Sequence, residues 1–296
     1  MAGKQMVSGC LVALVTPFLS DGRIDWTRLR DLVEFQISEG IDGLIPCGTT
    51  GESPTLTFEE QGEIVRAVKE HAKGRVPVIA GAGSNSTHHA IELVKQAEAG
   101  GADGILSVAP YYNKPTQEGF FRHYEAISRV TRLPIILYNV PGRTGGNIEP
   151  ATVWRLAEIP NIVGLKEASG QIGQIMELLR NRPADFSVLS GDDALAFPML
   201  ALGGQGVISV VANEVPRLFS TLVHAGLQGD WAKALALHNR LLPLMNLNFI
   251  ESNPIPVKAA LALMGKIEAH YRLPLCSLRA ENRAKLQQAL REVELI

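Results

Sequence analysis

An α/β fold closed as a (β/α)8 barrel, with a C-terminal helical extension, is the fold class this sequence predicts, and three observations predict it. Eight short apolar segments recur along the chain, at 11–15, 43–46, 78–80, 104–108, 135–138, 162–166, 187–189 and 207–210. Most are apolar nearly throughout, as strands buried on both faces are. Between them lie longer amphipathic stretches such as 57–71, 87–99 and 118–130. Their spacing, roughly 20 to 35 residues, suits one strand–helix unit each. After about Glu214 the pattern is helical alone, over 214–225, 230–247, 255–264 and 278–293. One of these segments supplies the eighth barrel helix, and the others form a helical region packed on the barrel. The expected division is 1–227 for the barrel and 228–296 for the helical region.

Alternation of strands and helices without a long linker favours a closed TIM-type barrel over an open sheet. No Gly-x-Gly-x-x-Gly follows the first strand, which weakens a dinucleotide-binding reading. A faint echo relates Gly40–Leu44 (GIDGL) to Gly101–Ile105 (GADGI). Each copy puts a helix end and a tight turn before a strand, and shared turn chemistry suffices to explain it.

The bulk numbers narrow the function classes. A chain of 296 residues, 46% hydrophobic and 20% charged, has an ordinary globular composition and can bury a sizeable core without disulfides. A net charge of -2 argues against a general nucleic-acid partner. Cys10, Cys47 and Cys276 are far apart and show no CxxC spacing, which suits a reducing compartment and gives no support for structural zinc. The N-terminus lacks a signal-peptide pattern, and no apolar run reaches the roughly 18 residues of a spanning helix. The expectation is a cytoplasmic protein with no nucleic-acid or membrane partner.

Reactive groups in such barrels lie at the C-terminal ends of strands and in the loops after them. Here those ends carry Gly48–Ser53 (GTTGES), Pro110–Asn113 (PYYN), Tyr138–Gly145 (YNVPGRTG), Lys166–Ser169 (KEAS) and Ser190–Asp193 (SGDD). Hydroxyls, a lysine and an arginine converge on one rim. Lys166 follows an apolar strand, so its stem begins inside the barrel, where burial favours a neutral, nucleophilic amine. The plainer alternative is an ion pair with Glu167 or Asp192, and Lys166 alone favours that alternative. Tyr138 ends the preceding strand, and neighbouring strands lie about 5 Å apart, so the two side chains can share one site. A tyrosine there can move protons; it can equally close the barrel mouth.

Gly48–Gly51 can offer backbone N–H groups to a small anion while a threonine hydroxyl relays protons. It lacks the lysine and the length of a P-loop. Arg143 sits in a Pro-Gly-Arg-Thr-Gly segment and suits a bidentate grip on a carboxylate, a surface salt bridge being the alternative. His88 and His89 are adjacent at a helix start and diverge rather than chelate. Asp192 and Asp193 could suggest a divalent metal, but no second acidic cluster supports one. Trp26, Trp154 and Trp231 fall in helical stretches and are expected to pack.

Taken together, Gly48–Ser53, Tyr138–Gly145, Gly164–Ala168 (GLKEA), Ser190–Asp193 and Asn253–Lys258 (NPIPVK) carry a specific resemblance. Along essentially its whole length the chain resembles the dihydrodipicolinate synthase/N-acetylneuraminate lyase family of pyruvate-dependent class I aldolases. The resemblance implies that Lys166 is the Schiff-base lysine, Tyr138 the acid/base tyrosine and Thr50 the relay hydroxyl. It implies that Thr49 helps hold the pyruvate carboxylate and that Gly191 and Ile208 line the pyruvate pocket. Tyr112 matches a tyrosine donated across a subunit interface, in what is usually a homotetramer built as a dimer of dimers. No metal or organic cofactor is implied.

Within that family, the double threonine and Arg143 favour condensation of pyruvate with L-aspartate 4-semialdehyde, on the lysine and diaminopimelate branch of biosynthesis. The alternatives are cleavage of N-acetylneuraminate or a 2-keto-3-deoxy sugar acid, and a barrel kept only as a non-catalytic scaffold. One departure stands out. Where lysine-inhibited members carry two histidines and a glutamate in the effector cleft, this chain has Phe58, Gln61 and His89, while Ser53, Asn85 and Tyr111 are retained. Weak or absent feedback by lysine is the expectation.

Overall fold

The computed structural model describes residues 7–296. Its eight strands are β1 (Gly9–Ala13), β2 (Gly43–Ile45), β3 (Ile79–Gly81), β4 (Gly104–Val108), β5 (Ile135–Asn139), β6 (Ile162–Glu167), β7 (Ser187–Ser190) and β8 (Gly206–Ser209). All pair in parallel, in the order β2-β1-β8-β7-β6-β5-β4-β3. A bridge between Leu44 and Val78 joins the two ends and closes the barrel. Two hydrogen bonds cross that seam, from Leu44 N to the Pro77 oxygen (3.0 Å) and from Gly81 N to the Pro46 oxygen (2.9 Å). The expected strands are all present. β1 begins two residues before its expected start, where Gly9 N donates to the Gln205 oxygen (2.9 Å) and Cys10 N to Asp42 (2.7 Å).

That aspartate explains the sequence echo. Gly40 and Gly101 both have positive φ (87° and 84°), a conformation that glycine adopts without strain. Two residues on, Asp42 accepts from Cys10 N (2.7 Å) and Asp103 from Val78 N (2.9 Å). Each aspartate thus satisfies a backbone donor at the start of the neighbouring strand. Shared turn chemistry is the physical content of the repeat.

Period-2 alternation sorts the strands into two cores. Cys10, Val12, Leu137, Leu165, Val188 and Val207 point outward into the layer of helices. Leu11, Ala13, Ile136, Tyr138, Leu189 and Ile208 point into the lumen. The alternation that sends Leu165 outward sends Lys166 inward.

A helix follows each strand, and the eighth barrel helix is Pro216–Leu227. Capping fixes several starts. Thr57 and Glu60 form a reciprocal capping box at Phe58–Ala72, and Ser86, Thr116 and Asp230 each accept from a backbone N–H of the first turn of their helices. Beyond the barrel lie Trp231–Leu247, Ile255–Leu263 and Ala280–Glu292. Leu241, Leu261, Leu286 and Leu290 from these helices share the core of the helical layer. Trp154 packs edge-on against Phe186; Trp231 meets Phe197 edge-on but is 41% exposed, much like Trp26 at 42%. Among the described residues no helix is long and apolar enough to cross a membrane.

Candidate active site

Lys166 and Tyr138 are direct register partners of β6 and β5. Both are buried, and Lys166 Nζ lies 4.2 Å from the centroid of the Tyr138 ring. Among the described residues no carboxylate comes within ion-pair distance of that amine. The two candidates for a structural pair are engaged elsewhere. Glu167 accepts from Asn139 Nδ2 (3.0 Å) and from Ser169 N (2.6 Å), and Asp192 accepts from Ala194 N (2.9 Å). Asp193 is buried and accepts from Val210 N (3.0 Å) and Val211 N (2.7 Å). Burial pushes its carboxyl up to about 6, against the pull of those amides. These two aspartates organise backbone rather than face a common point.

Gly191 follows β7 beside the lysine. A methyl group at its α-carbon would lie 3.0 Å from Lys166 Cε and 2.7 Å from Ala168 Cβ. Glycine leaves the lysine stem its room. Ile208, fully buried, belongs to the same lumen cluster as Tyr138.

The segment after β2 is held in an uncommon conformation. Cys47 (φ 57°) and Glu52 (φ 56°) both have left-handed backbones, and the amides of Gly51 and Ser53 turn back onto the Gly48 oxygen (3.0 and 3.4 Å). Thr16 Oγ1 donates to the Gly51 oxygen (2.7 Å). Burial pushes the Cys47 thiol well above its usual range, so this cysteine is packing rather than a thiolate. Thr50 is buried, and its Oγ1 accepts from Asn253 Nδ2 (3.0 Å). Glu52 is tied to Lys258 by a fully buried ion pair. Both of these partners come from the C-terminal region.

Arg143 sits on the single helical turn Pro141–Thr144, which ends at Gly145 (φ 74°). Its Nη2 donates to the Asn253 main-chain oxygen (3.4 Å). A cavity of about 390 Å³ opens beside these groups. Its lining includes Thr49, Tyr138 and Arg143 together with Phe58, Gln61, Asn85, His89 and Tyr111. Phe58 and His89 meet edge-on there, with ring centroids 5.6 Å apart.

The structure brings Lys166, Tyr138, Gly191 and Ile208 into the mouth of the lumen, and Thr49, Thr50 and Arg143 onto the rim beside them. It does not bring Tyr112 there. That residue has φ 72°, donates its N–H to the Thr144 oxygen (3.1 Å), and leaves its side chain 88% exposed. Sequence reasoning assigned no role to Asn253 or Lys258, although both lie in the NPIPVK stretch. An asparagine fixed by two nearby prolines, followed by a lysine on an otherwise apolar helix, was the available signal.

An unpaired lysine amine against a tyrosine ring, at adjacent strand ends of a (β/α)8 barrel, is the centre of the candidate site. The chain belongs to the dihydrodipicolinate synthetase family, whose model matches residues 6–293. It is 54% identical over 289 residues to a 4-hydroxy-tetrahydrodipicolinate synthase of Koribacter versatilis, covering 97% of this chain and 96% of that protein. Among solved structures it resembles the chloride-inhibited dihydrodipicolinate synthase of Acinetobacter baumannii complexed with pyruvate, with a TM-score of 0.97, 46% identity, and coverage of 98% of this chain and 100% of that chain. It also resembles a dihydrodipicolinate synthase variant described as monomeric, with a TM-score of 0.96, 46% identity and 98% coverage of both chains.

Proposed function

We propose that the chain is a lyase that condenses pyruvate with L-aspartate 4-semialdehyde through a Schiff base on Lys166, giving 4-hydroxy-tetrahydrodipicolinate. The observation that carries this reading is the buried, unpaired Lys166 amine against the Tyr138 ring. The family and the named relatives support the synthase over a sugar-acid lyase. Borohydride treatment with and without pyruvate, followed by peptide mapping, tests it. A pyruvate-dependent adduct is expected on Lys166, and its absence overturns the mechanism.

The amine adds to the pyruvate ketone, and loss of water leaves an imine that withdraws electrons from the methyl group. Removal of a methyl proton gives an enamine, whose carbon attacks the semialdehyde carbonyl while a hydroxyl chain delivers a proton to the new alkoxide. The substrate amine then adds to the imine carbon and expels the lysine, closing the ring. In this scheme Tyr138 and Thr50 move protons, Thr49 and the pocket at Gly191 and Ile208 hold pyruvate, and Arg143 grips the second carboxylate. Tyr138→Phe should lower kcat by about 10²- to 10⁴-fold, the usual worth of a positioned acid/base. The same variant should still give the borohydride adduct, slowly. An unchanged kcat would remove Tyr138 from the relay.

We further infer that Tyr112 acts in a neighbouring subunit's site and that the assembly is a homotetramer. Its support is an aromatic with a left-handed backbone that stands 88% exposed in its own protomer. Co-expression of Tyr112→Phe with Lys166→Ala should restore turnover that neither variant has alone, because mixed oligomers contain one site with both groups. Lack of recovery would place Tyr112 outside the neighbour's site. We also infer a cytoplasmic location, which the three free cysteines suit.

Lysine feedback is expected to be weak. Among the described residues lining the cavity there is no aspartate or glutamate to hold an ammonium, and Phe58 and His89 fill part of the cleft. Loss of a charge-assisted contact worth about 1.5–3 kcal/mol weakens binding roughly ten- to a hundredfold. Initial rates against added lysine check this, and inhibition at submillimolar lysine contradicts it.

A further inference from the structure

We propose that Asn139 and Glu167 are positioning residues for the condensation, whose side chains lock the strand register that turns Lys166 into the lumen; this rests on the reading of Lys166 and Tyr138 as the reacting pair. β6 does not alternate evenly. Ile162 packs among the helices and Val163 in the lumen, yet Leu165, two residues on, packs among the helices again. Strict alternation from Val163 would put Leu165 in the lumen and Lys166 against the helices. The phase reverses between them, where pairing with β5 steps from Ile135–Ile162 to Ile136–Gly164. An extra residue of this kind re-aims the side chains beyond it. Gly164 gives the irregularity room, since a methyl group at its α-carbon would lie 2.8 Å from the Ser187 main-chain oxygen.

The hydrogen bonds of a parallel ladder are evenly spaced, so side chains must choose the register. Here Asn139 and Glu167 are partners one step beyond Tyr138 and Lys166, and both are buried. Asn139 Nδ2 donates to Glu167 Oε2 (3.0 Å) and to Asn147 Oδ1 (2.8 Å), and its Oδ1 accepts from Ile148 N (3.0 Å). Glu167 Oε1 accepts from Ser169 N (2.6 Å), and its Oε2 accepts also from Gln174 Nε2 (3.4 Å), on the helix Ile172–Arg180. Every side-chain polar atom of the pair is engaged. Among the described residues no cation pairs with this carboxylate, so three neutral donors hold it in the interior. A buried carboxylate so held is costly unless those bonds are kept. A slip of one residue would turn Glu167 into the lumen and Lys166 out of it, breaking all three.

Exchanging the two groups makes the idea testable. Glu167→Gln keeps the size, but its amide must turn an N–H onto Ser169 N or onto Asn139 Nδ2, both donors. Asn139→Asp sets two carboxylates face to face. Either variant is expected to lower kcat roughly ten- to a hundredfold, the scale of a misplaced reacting group, with the rate of borohydride trapping falling in step. The KM for pyruvate should change less than about threefold, since the groups that hold pyruvate are untouched. Together the two substitutions restore one carboxylate and one amide to the same register pair, and flips of the Asn147 and Gln174 amides satisfy the rest. The double variant should regain kcat to within about fivefold of wild type, a recovery that independent structural losses would not show. Single variants with wild-type kcat, or a folded double variant no more active than the weaker single, would overturn the proposal. If the double variant does not fold, Gln174→Ala decides: it removes one of the three donors from a half-buried position and should lower kcat about two- to fivefold, and an unchanged kcat overturns the proposal. Failure of the wild-type protein to form an adduct would instead overturn the Schiff-base reading, so the two failures are told apart.

Discussion

Lys166→Ala is expected to lower turnover by on the order of 10⁴-fold or more, below detection in an ordinary assay, while the protein keeps its fold. The chemistry has no substitute for the amine, because every later step runs through the imine it forms. Structure loses little. Nζ has no carboxylate partner among the described residues, so its removal strands no buried charge, and a desolvated amine held only over an aromatic ring is a stability cost carried for function. The thermal midpoint should stay within a few degrees of wild type, or rise. Circular dichroism and calorimetry alongside the assay separate the two effects. A variant that is inactive because it is unfolded would return Lys166 to the role of a structural residue.

The converse case is Lys258. Its amine and the Glu52 carboxylate are both fully buried, and the amine also lies 4.3 Å from the Phe18 ring centroid and 5.2 Å from that of Tyr271. Burial draws this lysine below its usual range even with the carboxylate beside it. Lys258→Met removes one partner and leaves Glu52 charged in the interior, a loss of about 3–5 kcal/mol. For a chain of this length that corresponds to a thermal midpoint lower by roughly 5–10 °C. Pairing the change with Glu52→Gln should recover part of the loss, since the stranded charge is then gone. Glu52 closes the Gly48–Glu52 turn in a left-handed conformation, so the single variant should also lower kcat. A midpoint within 1 °C or so of wild type would show that the pair contributes nothing measurable.

Much of this was legible in the residues. Eight buried strands read as apolar runs because both faces of each are covered, and the lumen direction of Lys166 follows from Leu165 facing the helices. The GTTGES turn, Tyr138 and Arg143 lie within a few residues of strand ends, where the barrel rule looks for chemistry. Asn253 and Lys258 were not legible in the same way. Their partners, Thr50 and Glu52, are about 200 residues away in the chain, and no local period or turn signal reports a contact at that separation. A lysine on a helix reads as solvated until its carboxylate is found. The alternative of an ion pair for Lys166 could not be dismissed from sequence either, since the engagement of Glu167 and Asp192 with backbone and amide groups is a matter of angles rather than order.

The closing seam of the barrel bears on how the site moves. β5 and β6 share five register pairs, with one shift after Ile135, whereas β2 and β3 meet at one bridge flanked by two hydrogen bonds. The GTTGES turn springs from the end of β2, directly above that join. Local opening is governed by the bonds that must break, and here few need to. The seam can therefore open locally without disturbing the wall carrying Lys166 and Tyr138, while the turn above it stays pinned through Thr16, Asn253 and Lys258. Amide exchange at Leu44 and Gly81 reads that motion directly, because their two N–H groups are the fasteners of the seam.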